Sequence, residues 1–138
     1  MKHALAAVLA LIALPAAAQA PGPIQKPLAV LETTVSGQPL TGVAGPIKVS
    51  VTETTVPVGG AVAAHKHMHP RVVGVLAGRL KVTNLDTGAV TEAKAGDWMV
   101  DPIDQWHEAQ VVGDEPARLL VIDEAPPGAT LMMPRPPR

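Results

Sequence analysis

The sequence contains no cysteine, no phenylalanine and no tyrosine, and its only large aromatic residues are two tryptophans. Without cysteine the chain forms no disulfide and carries no cysteine-linked lipid anchor, so burial and sheet pairing must stabilise it. The formal net charge is only -1, which argues against a nucleic-acid partner because such proteins carry a basic footprint. No apolar run reaches the roughly twenty residues that a membrane-spanning helix needs.

The residues that are abundant favour strands. Valine is frequent, and branched aliphatic side chains pack well on pleated surfaces. Fifteen prolines are too many for long helices. Short strand-like segments recur along the chain with glycine, proline or aspartate turns between them, as in a sandwich or barrel. We therefore predict an all-β chain that forms one domain.

The first eighteen residues are predicted to be a secretory signal peptide. A basic start precedes the apolar run Ala4–Leu14, and small residues follow it, which is the order of a cleavable leader. Cleavage after Ala20 would place a proline just past the bond, so we expect cleavage after Ala18 and a mature chain that begins at Gln19. An uncleaved interfacial helix is the alternative. The mature protein is expected to be periplasmic or secreted.

The rest of the chain divides into three segments. Residues 19–45 are predicted to form an N-terminal arm and a first strand over Leu28–Val35. Residues 46–125 carry the remaining strands, among them Ile47–Val56, where polar and apolar residues alternate as in a half-buried strand. Residues 126–138 contain five prolines and predict a loosely ordered tail, with an arm on a neighbouring subunit as the alternative.

Three histidines, His65, His67 and His69, alternate along one predicted strand, so their side chains share a face. Neutral imidazole is the commonest metal ligand in proteins. His65 and His69 would lie about 13 Å apart in a straight strand, too far to share an ion. Either His65 and His67 or His67 and His69 can therefore converge, and all three can do so only if the chain turns sharply. A solvated histidine-rich strand is the alternative.

The spacing of glycines around these histidines forms a motif. Gly59 precedes His65 by six positions, Arg71 follows His67 by four, and Gly78 follows Arg71 by seven. The register that uses His65 and His67 keeps both glycines aligned with this motif.

A second motif contains Gly96, Pro102 and His107. Together the two motifs resemble those of the cupin superfamily in its small single-domain form, over roughly residues 51 to 123. Asp104 stands where the second motif has its second glycine, and Val111 stands where it has asparagine.

The resemblance implies a cupin β-barrel, a double-stranded β-helix of the jelly-roll type. It also implies a metal site formed by His65, His67 and His107, and a homodimer as the assembly. Histidine ligands suit iron, zinc, manganese, nickel and copper in differing degrees. The expected partners are this divalent metal and a small-molecule ligand or substrate.

Arg71 departs from the family pattern, because metal-binding cupins have glutamate at this place and a guanidinium cannot ligate a cation. Three interpretations follow: a three-histidine centre with open positions, a centre with His69 as fourth ligand, or a pocket that has lost its metal. Arg71 itself is read as a surface ion pair, with contact to a substrate carboxylate as the alternative.

Trp98 and Trp106 are expected to pack in the core or in the wall of a pocket. Asp101, Asp104 and Glu108 are expected at the rim of the site, where one of them can orient an imidazole. The resulting hypothesis is a metal-dependent oxygenase or isomerase that acts on a small polar molecule. The alternative is a non-catalytic module that binds a small ligand or a metal.

Overall fold

The computed structural model describes residues 22–137, which form nine β-strands and no helix. The predicted signal peptide, residues 1–18, lies outside the described residues. The all-β prediction is confirmed for the part that is described. Nothing in it is a helix with the length and apolar character that a membrane crossing requires. In chain order the strands are β1 (Lys48–Val56), β2 (Ala61–Lys66), β3 (Arg71–Ala77), β4 (Arg79–Asn84), β5 (Val90–Lys94), β6 (Trp98–Val100), β7 (His107–Val111), β8 (Ala117–Ala125) and β9 (Met133–Pro134).

The strands form two antiparallel sheets, with the order β1-β8-β3-β6 in one and β5-β4-β7-β2-β9 in the other. Consecutive strands such as β2 and β3 fall in different sheets, so the chain passes repeatedly from one sheet to the other. This winding is the double-stranded β-helix that the resemblance implied. It places the inward faces of both sheets around one interior.

Aliphatic side chains from both sheets form a single core. They alternate along their strands, as in β8, where every second residue from Ala117 to Ala125 is buried. Complete burial of a valine or leucine side chain contributes about 1.5–3 kcal/mol, so this alternation fixes which face of each strand turns inward. The core contains Val56, Val73, Val75, Leu80, Val82, Ala93, Met99, Val111, Ala117, Leu119 and Val121.

Strand β1 reverses the usual pattern of burial. Its apolar residues Val49 and Val51 are 53% and 64% exposed, whereas the polar Ser50 and Thr54 are half-buried. Thr54 lines the interior cavity. The alternation that predicted the strand is therefore present, and its apolar face is the outer one.

The segment before β1 does not form the predicted strand over Leu28–Val35. It contains a single β-bridge between Thr33 and Pro39, and a hydrogen bond from the Val35 amide to the Val100 carbonyl, 2.9 Å, ties it to β6. Leu28 remains 68% exposed. The other backbone hydrogen bonds of this segment stay within residues 32–40, so β-propensity alone does not make it a strand.

The C-terminal segment also differs from the prediction. Residues 131–134 are not a loose tail, because β9 pairs with β2 in the registers His65–Pro134 and Lys66–Met133. The Arg135 amide extends this pairing with a hydrogen bond of 2.8 Å to the Ala64 carbonyl. The segment thus covers the edge of β2, the strand that carries the first motif.

Candidate metal centre

Strands β2 and β7 bring three histidines together. His65 lies near the end of β2 and pairs directly with His107, the first residue of β7. His67 follows β2 and forms an isolated bridge with Ile103. Residues two apart on a strand share a face, so His67 points to the same side as His65. The side chains of His65, His67 and His107 therefore converge.

The three imidazoles form a compact, buried cluster. One ring nitrogen from each of His65, His67 and His107 can be chosen so that all three lie within 4.8 Å of one another. The ring centroids are 4.4–5.1 Å apart. The residues are only 5%, 1% and 2% exposed. The structure therefore unites the three histidines that the motifs selected.

Backbone carbonyls fix the orientation of all three rings. Nδ1 of His65 donates to the Ala63 carbonyl over 2.7 Å, and Nδ1 of His107 donates to the Gln105 carbonyl over 2.9 Å. Nδ1 of His67 donates to the carbonyl of Leu131 over 2.7 Å. A proton on Nδ1 leaves Nε2 of a neutral imidazole with a lone pair.

These lone pairs provide the test of whether a metal fits the site. Nε2 of His67 and Nε2 of His107 are buried and have no hydrogen-bond partner among the described residues. A buried polar atom without a partner is costly and calls for an ion, a water or a function. Carbonyl-oriented imidazoles with free Nε2 atoms are the usual donors of zinc and related metals. The residues fit a divalent cation.

Burial keeps the imidazoles uncharged. It lowers the pKa of His67 to about 3, and the nearby positive charge of Arg71 acts in the same direction. Burial also lowers the pKa of His65 and of His107. The three rings are therefore neutral at pH 7, which is the state that a metal ion requires of its histidine ligands.

Asp101 is not the rim carboxylate that the sequence suggested. It is only 8% exposed, and its Oδ2 atom lies 3.7 Å from Nε2 of His67 and 3.9 Å from Nε2 of His107. Burial raises its pKa to about 6, against the opposing effect of the Arg71 charge. Asp101 follows the inward-facing Met99 by two positions, and this spacing was the available signal for its inward orientation.

Arg71 forms an ion pair inside the barrel rather than on its surface. Its Nε donates to Oδ1 of Asp123 over 2.6 Å, and the two side chains are 15% and 6% exposed. Arg71 and Asp123 are paired residues of β3 and β8. The amide of Asp101 donates to the Arg71 carbonyl over 3.0 Å, and the Arg71 charge lowers the pKa of the Asp101 carboxyl against the larger effect of burial.

The remaining candidates lie outside the cluster. His69 is half-buried on a bend after β2 and borders a surface depression with Met68 and Pro70. Glu108 is exposed on β7. Asp104 is exposed and pairs with Lys66 over 2.6 Å, so these two carboxylates occupy the outer positions that were expected.

Asp104 also explains how the second motif tolerates the loss of its glycine. Its φ is 52°, and it is the only non-glycine residue with positive φ among residues 22–137. Aspartate enters this left-handed region more readily than most side chains. The Asp104 amide donates to the His67 carbonyl over 2.7 Å. The turn beside the cluster is therefore preserved without glycine.

The cluster opens into an interior cavity of about 310 Å³. His65, His107, Asp101 and Arg71 provide polar groups at its wall. The rest of the wall is almost entirely aliphatic and includes a residue of the C-terminal segment. The remaining lining residues are Thr54, Val62, Val73, Leu80, Val82, Met99, Ala109, Leu119, Val121 and Met132.

Neither tryptophan lines this cavity. The Trp98 ring lies against Gly74 on the outer side of β3, where a Cβ would approach it to 2.8 Å. Trp106 lies under two cations, with Lys66 Nζ 5.1 Å and the Arg135 guanidinium 5.7 Å from its ring centroid. Their packing supports the fold and leaves the cavity wall aliphatic.

A double-stranded β-helix with three inward histidines defines a metal-binding type of β-barrel protein. The family model for the Cupin domain matches residues 52–123, which is more than half of the chain. This chain belongs to the cupin family. The match covers both motifs and all three histidines.

Solved structures share the fold. An oxalate decarboxylase from Lactobacillus farciminis, in a formate complex, is 24% identical with a TM-score of 0.55, over 62% of this chain and 26% of that one. A double-stranded β-helix protein from Klebsiella pneumoniae is 28% identical with a TM-score of 0.52, and the match covers 64% of this chain and 76% of that one. A protein from Bacillus halodurans is 22% identical with a TM-score of 0.53, and the match covers 62% of this chain and 69% of that one.

The chain thus spans about a quarter of the length of the oxalate decarboxylase that it matches. A search of curated proteins finds no match. The structural likenesses establish the barrel, and the activity has to be argued from this chain's own residues.

Proposed function

We propose that this cupin binds a divalent metal through His65, His67 and His107 and uses it as an enzyme on a small molecule in the adjoining cavity. The observation that carries the proposal is the pair of buried, unpartnered Nε2 atoms in a cluster that opens into the cavity. The reaction class we favour is that of a metal-dependent oxygenase or isomerase. Iron, zinc, manganese, nickel and copper are the candidate ions.

A metal held by His65, His67 and His107 would supply Lewis acidity to an oxygen of the substrate. The protein contributes the rest of the arrangement. The carbonyls of Ala63, Gln105 and Leu131 hold the three imidazoles in a fixed tautomer, and aliphatic side chains line most of the cavity. This wall modifies the expectation of a purely polar substrate, because it fits a molecule with an apolar body and a polar group at the metal.

Arg71 contributes a fixed positive charge at the cavity wall. Its Nε is engaged by Asp123, so the guanidinium is held in place. A positive charge in a largely apolar cavity favours an anionic or strongly polarised group on the bound molecule. We therefore propose that Arg71 contacts the substrate while it remains paired with Asp123, which was the alternative interpretation of this residue.

The experiment starts with elemental analysis of the protein purified from its native compartment and continues with reconstitution by each candidate ion. Each form is tested for oxygen consumption with thiols and phenols and for isomerisation of sugars. Turnover that requires the metal and is lost in His67→Ala supports the proposal. Tight binding of metal and ligand without turnover of any compound favours the non-catalytic module instead.

Export is a separate proposal that rests on the first eighteen residues of the sequence. Mass spectrometry of the protein recovered from the periplasm or the medium should give a chain that begins at Gln19. A recovered protein that retains Lys2 would rule out cleavage. The barrel and its site do not depend on this outcome.

We also propose that the protein is a homodimer. The outer face of β1 is apolar at Val49 and Val51, and β1 is an edge strand of its sheet. An exposed apolar stripe on an edge strand is a common site of association. Light scattering should report twice the chain mass for the wild type and a monomer for Val51→Lys. A monomeric wild type would refute the dimer.

A further inference from the structure

The geometry points to Asp101 as a fourth ligand of the metal, which would make the centre one of three histidines and an aspartate. This inference rests on the proposed metal site and specifies its ligand set. The carboxylate comes from the residue that directly follows β6, within the second motif, and the first motif has Arg71 where a carboxylate would stand in metal-binding relatives.

The distances fit ligands around one ion. Ligand atoms bound at about 2.0–2.2 Å from a shared ion lie about 3–4 Å from one another. Oδ2 of Asp101 is 3.7 Å from Nε2 of His67 and 3.9 Å from Nε2 of His107. Both separations exceed the roughly 2.7–3.2 Å of a hydrogen bond. The aspartate is therefore spaced from His67 and His107 as a fellow ligand would be, whereas its oxygens lie more than 4.0 Å from the ring nitrogens of His65.

The chemistry of these groups favours a cation between them. The Nδ1 atoms of the histidines already donate to carbonyls, so their Nε2 atoms present lone pairs. A carboxylate directed at these atoms adds another electron donor to the same space. Such an arrangement is repulsive by itself. A divalent ion converts each of these contacts into an attraction.

The other charged groups near Asp101 have different partners. Among the described residues, Arg71 makes its close ion pair with Asp123, and no lysine or arginine side chain lies within 4.0 Å of Asp101. Arg71 and Asp123 nearly cancel in charge. Three neutral imidazoles and one carboxylate then offer a net charge of -1 to a divalent cation.

The backbone holds Asp101 in this position. Its amide donates to the Arg71 carbonyl over 3.0 Å, and Met99, two residues earlier, faces the same cavity. Pro102, which is fully buried, fixes the next φ angle. The main chain of Asp101 is thus fixed next to β3 and β6. A ligand held in this way is preorganised for the ion.

The test compares the wild type with Asp101→Asn, which keeps the size of the side chain and removes its charge. Asp104→Asn is the matched control, because Asp104 lies three residues away and pairs with Lys66 on the surface. Zinc affinity is measured by competition with a chelator. We expect Asp101→Asn to lose more than about 100-fold, the upper range for residues that only orient a ligand, and Asp104→Asn to match the wild type.

A second readout separates ligation from support of the fold. The absorption spectrum of the cobalt-substituted protein reports the ligand set and should change in Asp101→Asn but not in Asp104→Asn. A crystal structure of the zinc-loaded wild type should place an Asp101 oxygen about 2.0–2.2 Å from the ion. This measurement decides the question even if Asp101→Asn does not fold.

The outcomes separate this inference from the proposed function. A wild type that binds no metal under any condition refutes the proposed metal site and the fourth ligand with it. A wild type that binds zinc through three histidines and water, with Asp101 at hydrogen-bond distance from the water, overturns the fourth ligand alone. Equal zinc affinities and cobalt spectra for the wild type and Asp101→Asn would also overturn the fourth ligand alone.

Discussion

Arg71 and Asp123 face each other across strands β3 and β8, and the arginine Nε donates to the aspartate Oδ1 over 2.6 Å. This pair stands where the family pattern places a ligand glutamate. The guanidinium is therefore balanced within the barrel and does not repel a cation with a full uncompensated charge. In the sequence, Arg71 in place of glutamate argued against metal binding. In the structure, Asp123, which lies 52 positions away, balances the charge of this arginine.

The first prediction concerns the energetics of this pair. Arg71→Met leaves Asp123 without its partner and Asp101 next to a second buried acid, so we expect a loss of about 3–5 kcal/mol in the free energy of unfolding. The double variant Arg71→Met/Asp123→Leu removes both charges and should recover most of that loss. Urea unfolding of the single and double variants gives the coupling free energy between Arg71 and Asp123. Purely additive losses would show that the pair is not a unit.

The second prediction concerns the three histidines. His65→Ala, His67→Ala and His107→Ala should each reduce zinc affinity by more than about 100-fold, because each removes a ligand rather than a residue that orients one. His69→Ala is the control and should bind like the wild type, since His69 lies outside the cluster. Isothermal titration with zinc and elemental analysis measure the effect. A large loss from His69→Ala alone would mean that the chain refolds around the ion to recruit this residue.

Much of this architecture could be predicted from the sequence. The glycine spacing around His65 and His67 selected the pair that the structure places with His107, because the same turns that demand glycine also set the register of the strands. Asp101 was assigned to the rim together with Asp104 and Glu108 because all three lie near His107 in the sequence. Its alternation with Met99 was the better guide, since a strand face continues through its last residue.

Two features of the site had no signal in the sequence. The acceptor for His67 is the main-chain carbonyl of Leu131, which any residue could supply. The pairing of β9 with β2 involves two residues in a proline-rich segment, and composition alone predicted disorder there. Long-range pairing of such short elements depends on the edge that the rest of the barrel presents, and that edge exists only in the folded chain.

The third prediction is a pH dependence of stability in the metal-free protein. Burial lowers the pKa of His67 in the folded chain to about 3, against an ordinary value of 6.5, and the pKa values of His65 and His107 are also lowered. At a pH between the folded and the unfolded pKa of a histidine, the unfolded chain binds a proton that the folded chain does not. The free energy of unfolding should therefore fall as pH drops below about 6.5. The pKa of Asp101, raised from 3.8 to about 6, acts in the opposite direction.

Three histidines against one acid give a net loss of stability towards acid. Urea unfolding in the presence of a chelator at pH 7.0, 5.5 and 4.5 measures it, and His67→Gln should show a weaker dependence than the wild type. The effect of Asp101 can be isolated with Asp101→Asn, which should lose stability more steeply between pH 6 and pH 4. A wild type that is equally stable at all three values would contradict the neutral, buried state of the imidazoles.

The fourth prediction concerns the positive φ of Asp104. Asp104→Gly restores the family residue at a backbone conformation that glycine adopts freely, so the only expected cost is that of the exposed pair with Lys66, about 0–1 kcal/mol. Asp104→Val should cost about 1–3 kcal/mol, because a branched side chain is strained in this region. Thermal and urea unfolding measure both variants. If valine is tolerated as well as glycine, the turn at Asp104 does not hold the left-handed conformation.

The fifth prediction concerns the C-terminal segment, which supplies the carbonyl that orients His67 and contributes Met132 to the cavity wall. The contact is made by the main chain, so a side-chain substitution cannot remove it, and a truncation is required. A chain that ends at Thr130 should keep the barrel, since the core residues all precede this point. It should bind zinc about 10–100-fold more weakly, the usual cost of removing a group that orients a histidine ligand.

A chain that ends at Arg135 provides the matched control. It lacks only the final prolines and arginine and retains β9, the Leu131 carbonyl and the hydrogen bond from the Arg135 amide to Ala64. Its zinc affinity should equal that of the full chain. Circular dichroism checks that both truncated proteins keep their strands. If the shorter chain binds zinc as tightly as the longer one, the ring of His67 is held by the barrel itself, and the C-terminal segment only covers the edge of β2.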